Sequence, residues 1–137
     1  MAASGSATIT HESHETVKYV TWAWTSDVSG ADVSGGAGLT TFSVSGEVLR
    51  ITTDPGSPAP SANYDVVIND QDGIDVAMGF LADRHTTTTE SVVPRYRGTL
   101  PANGGAYSAP VFTAGPLELV ITNAGTSKQG VVRLYYR

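Results

Sequence analysis

The closing stretch of the chain, Leu117–Arg137, sets the strongest limit on the folds that this sequence can adopt. It contains two runs rich in β-branched and aromatic residues, Leu117–Thr122 and Val131–Tyr136, on either side of a polar, turn-forming segment, Asn123–Gly130. Such runs favour strands, and a short polar segment between them is typical of an antiparallel hairpin. The second run reaches almost to the last residue, so we expect that strand to be paired within a sheet and held there.

Length and composition favour a single all-β domain. The chain has 137 residues, of which 40% are hydrophobic and only 15% are charged, whereas charged residues make up about 25% of an average domain. This composition predicts a sandwich or barrel whose exposed faces carry hydroxyl groups in place of salt bridges. The spacing of apolar runs and turn signals predicts a single antiparallel β-sandwich of about eight strands, jelly-roll-like, over residues 16–137.

Charge and cysteine content argue against several classes of function. Eight lysines and arginines against thirteen aspartates and glutamates give a formal net charge of −5, and no basic run is present. We expect no nucleic-acid partner, because phosphate binding needs clustered basic side chains. The chain has no cysteine, which removes disulfides, thiolate metal sites and cysteine nucleophiles. No apolar run approaches the roughly 20 residues of a membrane span and no signal peptide is recognisable, so we expect no membrane partner.

The first fifteen residues, Met1–Glu15, are small, polar and aperiodic, which predicts a flexible N-terminal arm. The arm contains His11 and His14, with Glu12 and Glu15 beside them. A zinc-protease motif needs two histidines four residues apart on a helix, with a glutamate next to the first. The spacing here differs, so we assign no metal site to this cluster.

Alternating apolar residues identify the candidate core. Thr16–Asp27 is the clearest strand, because Val20, Trp22 and Trp24 fall on one face. Large aromatic side chains on an alternating strand are more often buried than exposed, although an exposed tryptophan pair can stack on a sugar. We predict that most of the core comes from nine residues: Trp22, Trp24, Phe42, Val66, Ile68, Leu119, Ile121, Val132 and Leu134.

Glycine and proline mark the connections between strands. Val28–Gly38 is predicted to be a loop, and the three prolines of Asp54–Ser61 predict a rigid connection that crosses between sheets. Ser45–Glu47 interrupts the apolar pattern of Leu39–Thr53, either as a tight turn between two short strands or as a glycine bulge within one strand. Asp72–Gly73 is the strongest short hairpin signal.

The region from Ala77 to Asn103 is the least regular part of the chain. Met78–Leu81 is compatible with one helical turn or with the end of a strand. Further on, Pro110 indicates an edge position for the strand predicted around Tyr107–Thr113.

Two polar stretches resemble chemical motifs without completing them. Asp70–Asp75 contains the carboxylates of a calcium loop, but Ile74 occupies a ligand position and no glutamate follows at the required distance. The titratable group in Asp83–Glu90 includes His85, yet no nucleophile elbow or oxyanion-hole motif accompanies it. We therefore expect a turn and a polar loop, with no catalytic residue, no metal, no cofactor and no enzymatic activity.

The segment Arg95–Arg97 is better suited to contacting another protein. On an extended chain its two arginines share a face, whereas the tyrosine between them points the other way. Arginine and tyrosine are enriched in protein interfaces. Together with the two histidines of the arm, the predicted protein-contact residues are Arg95, Tyr96, Arg97, His11 and His14.

Three stretches carry a resemblance to a known group of proteins. They are VKYVTWAWTSD at 17–27, LRITTDP at 49–55 with DVVINDQDGIDV at 65–76, and GVVRLYYR at 130–137. They resemble small β-sandwich proteins encoded in the structural gene clusters of tailed bacteriophages, among which capsid decoration, or cement, proteins are most similar in size and class. The resemblance implies a homo-oligomer, dimer or trimer, that binds the major capsid protein on the outer surface of the virion. It transfers no catalytic residue.

Two functions follow as expectations. The first is a capsid decoration protein, made in the host cytoplasm, that stabilises the head. The alternative is a carbohydrate- or receptor-binding β-sandwich module of a phage tail or fibre, in which Trp22 and Trp24 or the tyrosines stack on a sugar. An acidic surface rich in hydroxyl groups fits an outer position in both cases, because a protein that faces packaged DNA would be repelled.

Overall fold

In the computed structural model the described residues are 3–30, 32–99 and 104–137, without the side chain of Thr99. They form eleven strands and no helix, and every strand pairing is antiparallel. The strands are β1 (Ser6–His14), β2 (Val17–Thr25), β3 (Val33–Leu39), β4 (Gly46–Pro55), β5 (Asp65–Asn69), β6 (Glu90–Val92), β7 (Arg95–Thr99), β8 (Ala106–Pro110), β9 (Phe112–Thr113), β10 (Glu118–Thr122) and β11 (Gln129–Tyr136). The predicted fold class, an all-β sandwich-like fold, is confirmed.

The strands form a large sheet, a small sheet and a ribbon. The large sheet has the order β1-β2-β11-β4-β6, with β9 paired to the beginning of β4. The small sheet has the order β3-β10-β5, and β7 pairs with β8 in the separate ribbon. Strand β11 lies between β2 and β4, and Val132 faces Trp22 on one side and Thr53 on the other. The expectation that the last strand is paired within a sheet is therefore confirmed.

The predicted hairpin between the last two strands is wrong. Strand β10 belongs to the small sheet and β11 to the large sheet, so the segment between them crosses from one sheet to the other. Ser26 at the end of β2 holds this segment, since its N–H donates to the Lys128 carbonyl and its Oγ accepts from the Lys128 N–H, both at 2.8 Å. An alternating pattern tells which side of a strand is buried, but it does not name the neighbouring strand.

The flexible-arm prediction is wrong for Ser6–His14, which is strand β1. It pairs with β2 without a register shift, from Ser6 opposite Thr25 to His14 opposite Val17. Ala7 and Ile9 pack against the core. Thr8 and Thr10 suit a strand, but only two modest apolar residues mark its buried face, and this weak alternation explains the error. Met1 and Ala2 lie outside the described residues.

The predicted loop Val28–Gly38 is wrong in its second half, where β3 begins at Val33. A Cβ on Gly38 would lie 2.5 Å from the Leu119 carbonyl oxygen. The glycine thus allows close contact between β3 and β10, a role that its sequence alone does not separate from a turn. Around Ser45–Glu47 neither predicted alternative is found, because 41–45 lie outside any strand and one strand begins at Gly46. Ala31 lies outside the described residues.

The predicted proline-rich connection and the predicted turn at Asp72–Gly73 are confirmed, but the turn closes no strand hairpin, since β5 pairs with β10 and only an isolated bridge links Asn69 to Asp75. The proline-rich segment after β4 leads from the large sheet to β5 in the small sheet. After β5 the chain turns sharply, since the Gly73 N–H donates to the Asp70 carbonyl at 3.0 Å and Gly73 has a φ of 77°. The Asp70 Oδ1 accepts the N–H groups of Asp72 and Ile74, so this carboxylate caps the turn. Met78 and its neighbours up to Leu81 form turns rather than a strand end.

The core lies between the inner faces of the two sheets. Eight of the nine predicted core residues are buried, and Phe42 is partly buried against them. Tyr64 joins the core with its ring centroid 5.8 Å from that of Trp24, and burial raises the pKa of its phenol to about 12. Trp24 in turn covers Gly130 in the neighbouring strand, where a Cβ would lie 2.5 Å from the indole ring.

Candidate functional site

The outer face of the large sheet carries a cluster of aromatic and charged side chains. Val20 on β2 and Leu134 on β11 point into the core, so the residues beside them, Tyr19 and Tyr135, point outward. The register sets Tyr19 opposite Tyr135, and Tyr135 opposite Arg50 of β4. We define the aromatic–arginine surface as Glu12, His14, Tyr19, Arg50, Arg133 and Tyr135, which four neighbouring strands contribute.

The two arginines of this surface lie over tyrosine rings. The Arg50 guanidinium carbon is 4.5 Å from the centroid of the Tyr135 ring, and that of Arg133 is 5.3 Å from the Tyr19 ring. The two tyrosine rings are 5.3 Å apart, and Arg133 Nε also donates to Thr21 Oγ1 at 3.0 Å. Cation–π contacts of this kind, together with the bond to Thr21, hold the guanidinium groups in place on the outer face of the sheet.

The β1 end of the surface is a small hydrogen-bonded group. The His14 ring stacks on Tyr19 at a centroid distance of 5.6 Å with 12° between the planes, and its Nε2 lies 3.3 Å from Glu12 Oε2. The Tyr19 hydroxyl donates to the same carboxylate oxygen. This bond lowers the pKa of Glu12 and raises the pKa of Tyr19. The carboxylate is therefore held in its ionised form beside the aromatic rings.

The pKa of Tyr135, on the β4 side of the surface, shifts in the opposite direction from that of Tyr19. Its burial raises the pKa of the phenol, but the hydrogen bonds and charges of Arg133 and Arg50 outweigh this and lower it. The aromatic rings thus carry an acidic group beside Tyr19 and basic groups beside both Tyr19 and Tyr135. Such an arrangement offers both ionic and stacking contacts, which is the chemistry of interface hot spots.

The predicted contact segment lies on the separate ribbon. Arg95 and Arg97 are exposed, whereas Tyr96 is partly buried and packs against the core, as their alternation predicts. Arg95 Nε donates to Ser108 Oγ at 2.7 Å, and the Arg97 guanidinium lies 4.4 Å from the Phe80 ring centroid. Neighbouring side chains therefore hold both arginines.

The two predicted contact histidines point to opposite faces of the large sheet. His11 is on the inner face, where its Nε2 lies 2.6 Å from the Tyr136 hydroxyl and its ring is 5.1 Å from Phe42. His14 is on the outer face with Tyr19. The structure therefore places only His14 in the aromatic–arginine surface, and no group of three or more potential metal ligands is found in the described part of the chain.

Tyr96 also lines a groove of about 380 Å³ beside the turn that follows β5. The groove contains the carboxylates of Asp70 and Asp72 together with Ile74 and Phe112. Phe112 is 60% exposed and Ile74 is 49% exposed, which is unusual for such apolar side chains. We call this the acidic–aromatic groove, and its size lies in the range of small-ligand sites.

The titratable group around His85 forms a polar loop, as predicted. The His85 Nδ1 accepts the N–H groups of Thr87 and Thr88, both at 3.0 Å. Glu90 accepts the N–H of His85 at 2.8 Å and lies 3.7 Å from the Arg84 guanidinium. These hydrogen bonds fix the loop, and two of them occupy Nδ1 of the His85 imidazole.

Sequence reasoning missed the aromatic–arginine surface. The available signal was the alternation itself, because Arg133 and Tyr135 stand between predicted core residues and so had to point outward. What the pattern lacked was the strand order that places Tyr19 and Arg50 beside them. Without that order, these residues looked like ordinary surface positions.

Comparison of the chain with protein-family models, with curated proteins and with solved structures finds no match. In the described ranges no helix is long and apolar enough to cross a membrane. The fold and the surface thus define an all-β, sandwich-like protein with an aromatic and charged outer sheet face.

Proposed function

We propose that this protein is a capsid decoration protein of a tailed bacteriophage, a structural protein without catalytic activity that binds the major capsid protein on the outer surface of the head. The observation that carries the proposal is the aromatic–arginine surface, a set of interface-type side chains presented on a rigid sheet. The resemblance of the three sequence stretches to virion β-sandwich proteins directs it to the capsid.

The chemistry of the surface suits a protein partner. Arg50 and Arg133 already lie over tyrosine rings, so little side-chain freedom is lost when they bind a carboxylate. The tyrosines add apolar contact area, and Glu12 offers an acceptor to a basic group. A partner with acidic side chains and a few apolar ones would match this surface.

The test compares two double variants in binding to purified, expanded capsid shells of the phage that encodes the protein. Arg50→Ala with Arg133→Ala is expected to weaken binding at least tenfold, since interface arginines often contribute about 2 kcal/mol each. Arg95→Ala with Arg97→Ala removes the same number of charges from the ribbon and tests the other predicted contact segment at equal change in net charge. Equal binding by the first variant and the intact chain would refute the role of this surface, and loss in the control alone would place the contact on the ribbon.

Copy number in purified virions tests the assignment itself. A decoration protein is present in proportion to the major capsid protein, in hundreds of copies, whereas a tail or fibre module is present in a few to tens. Quantitative mass spectrometry against the major capsid protein measures this ratio.

The acidic–aromatic groove favours a second candidate function, a carbohydrate- or receptor-binding module of a tail or fibre. Trp22 and Trp24 are buried, so the aromatic side chains available to a sugar in this groove are Tyr96 and Phe112. An exposed phenylalanine can stack on a sugar ring while the carboxylate of Asp72 accepts from its hydroxyl groups. A glycan array with the intact chain and with Phe112→Ala tests this, and a signal that survives the substitution would exclude the groove.

A further inference from the structure

The edges of the large sheet differ in length. On one side the sheet ends with β6, which has only three residues, and on the other with β1, which has nine. Ser4 exchanges two backbone hydrogen bonds with Ser34, at 3.0 and 2.9 Å, so the chain just before β1 is joined to β3. From Ser6 onward no described strand pairs with the outer edge of β1. The outward backbone donors and acceptors of β1 therefore have no strand partner among the described residues, although β3 lies close to the beginning of β1.

Strand β1 carries one acidic residue, Glu12, but lacks three other devices that usually protect such an edge. Between Ser6 and His14 there is no proline and no lysine, and the pairing with β2 has no bulge. Native proteins normally place one of these on a long edge strand, because an open and regular edge is a template for another strand. The edge is exposed, since every residue from Thr10 to His14 is exposed.

We propose that the open edge of β1 pairs antiparallel with the β1 edge of a second copy of this chain, so that the large sheet continues through both copies of a two-fold dimer. The inference does not rest on the proposed function, because it uses only the open edge. Strand addition at an edge gives affinity through main-chain hydrogen bonds, and a two-fold axis makes the interface self-complementary.

Register and charge select the second copy as a compatible partner. The inner faces of the two sheets lie on the same side only if even-numbered residues pair with even-numbered residues and odd with odd. A two-fold axis at Thr10 meets this condition and pairs all nine residues. In this register Glu12 faces Thr8, and His14 faces Ser6, of the second copy. In this register no charged side chain lies opposite one of the same charge. A register shifted by two residues would pair only seven of the nine residues. The paired edge would be about 30 Å long.

The test compares two single variants, each of which introduces one lysine into β1. Thr10→Lys places two lysines directly opposite each other across the axis, so the dimer dissociation constant is expected to rise by up to about fivefold. Thr8→Lys, also exposed and on the same face, sets its lysine opposite Glu12 and is expected to keep the dimer. Sedimentation equilibrium at several concentrations gives the masses, and the far-UV circular dichroism spectrum verifies that both variants are folded.

Several results would overturn the inference. They are an intact chain that is monomeric at all concentrations, a trimer, or a dimer that Thr10→Lys and Thr8→Lys affect equally. If Thr10→Lys fails to fold, amide hydrogen exchange on the intact chain decides instead. Alternate amides of Ser6–His14 should exchange more slowly as the protein concentration rises, and exchange that is independent of concentration would contradict the paired edge.

Discussion

The indole Nε1 of Trp22 donates a hydrogen bond of 2.9 Å to the carbonyl oxygen of Gly38. Trp22 belongs to β2 in the large sheet and Gly38 to β3 in the small sheet, so this bond joins the two sheets across the core. Both residues are buried, and Gly38 is held tightly against Leu119 of β10. The Nε1 of Trp24 is also buried but finds no hydrogen-bond partner among the described residues. The two tryptophans therefore fill the same core with different polar contacts.

This difference predicts unequal costs for Trp22→Phe and Trp24→Phe. Both substitutions shrink the ring by a similar amount, but only the first removes a hydrogen bond from the core, the one that the Gly38 carbonyl accepts from the indole. We expect Trp22→Phe to reduce the free energy of unfolding by about 1–3 kcal/mol more than Trp24→Phe. Urea denaturation followed by circular dichroism measures both values. Equal losses would mean that the inter-sheet hydrogen bond contributes nothing net.

Gly130→Ala tests the contact between Gly130 and Trp24. The added methyl group would overlap the six-membered part of the indole, so we expect a loss of about 1–3 kcal/mol in the free energy of unfolding. In a Trp24→Phe background the smaller ring should relieve part of this cost. A double-mutant cycle measured by urea denaturation gives the coupling. A cost that is unchanged in the Trp24→Phe background would show that the overlap is not with the indole.

Asp27 predicts a dependence of stability on pH. Its carboxylate accepts the N–H of Gly30 and the N–H and hydroxyl of Ser29, which lowers its pKa from 3.8 to about 2. Because the pKa is lower in the folded chain, the stabilisation is complete above the ordinary pKa and is lost as pH falls towards the folded value. Asp27→Ala should lower the melting temperature at neutral pH, and its difference from the intact chain should shrink as pH falls between these two values.

The control for this experiment is Asp27→Asn, whose side-chain oxygen still accepts hydrogen bonds but does not titrate. We expect its difference from Asp27→Ala to stay constant with pH. Thermal melts followed by circular dichroism across the acid range provide the data. A gap between Asp27→Ala and the intact chain that persists below the lowered pKa would contradict the assignment.

Deletion of residues 1–15 tests the structural role of β1. The deletion removes the strand that covers one edge of β2, together with the packing of Ala7 and Ile9 against the core. We expect a loss of about 1 kcal/mol or more, which lowers the melting temperature by about 4 °C or more. Thr8→Ala, at an exposed position of the same strand, should have little effect. The flexible-arm interpretation predicts an unchanged melting temperature, so a truncated chain as stable as the intact one would restore it.

Much of the core could be predicted from the sequence, because burial on a strand follows from local alternation. Trp22 and Leu134 were identified in this way, and both are buried. The alternation of Arg95 and Arg97 with Tyr96 was predicted for the same reason. Strand β1 escaped prediction because the only apolar residues of its inner face are Ala7 and Ile9, whose burial depends on the tryptophans opposite them in β2.

The sequence by itself determined the all-β class, the inward and outward sides of its clearest strands, and the proline-rich crossing between sheets. These are local properties, since a period of two and the missing N–H of proline act within a few residues. Only the tertiary structure decided which strands are neighbours. That choice separates β10 from β11 and leaves the edge of β1 open. It also brings Tyr19, Arg50 and Tyr135 together from distant parts of the chain, because strand pairing depends on how all buried faces pack at once.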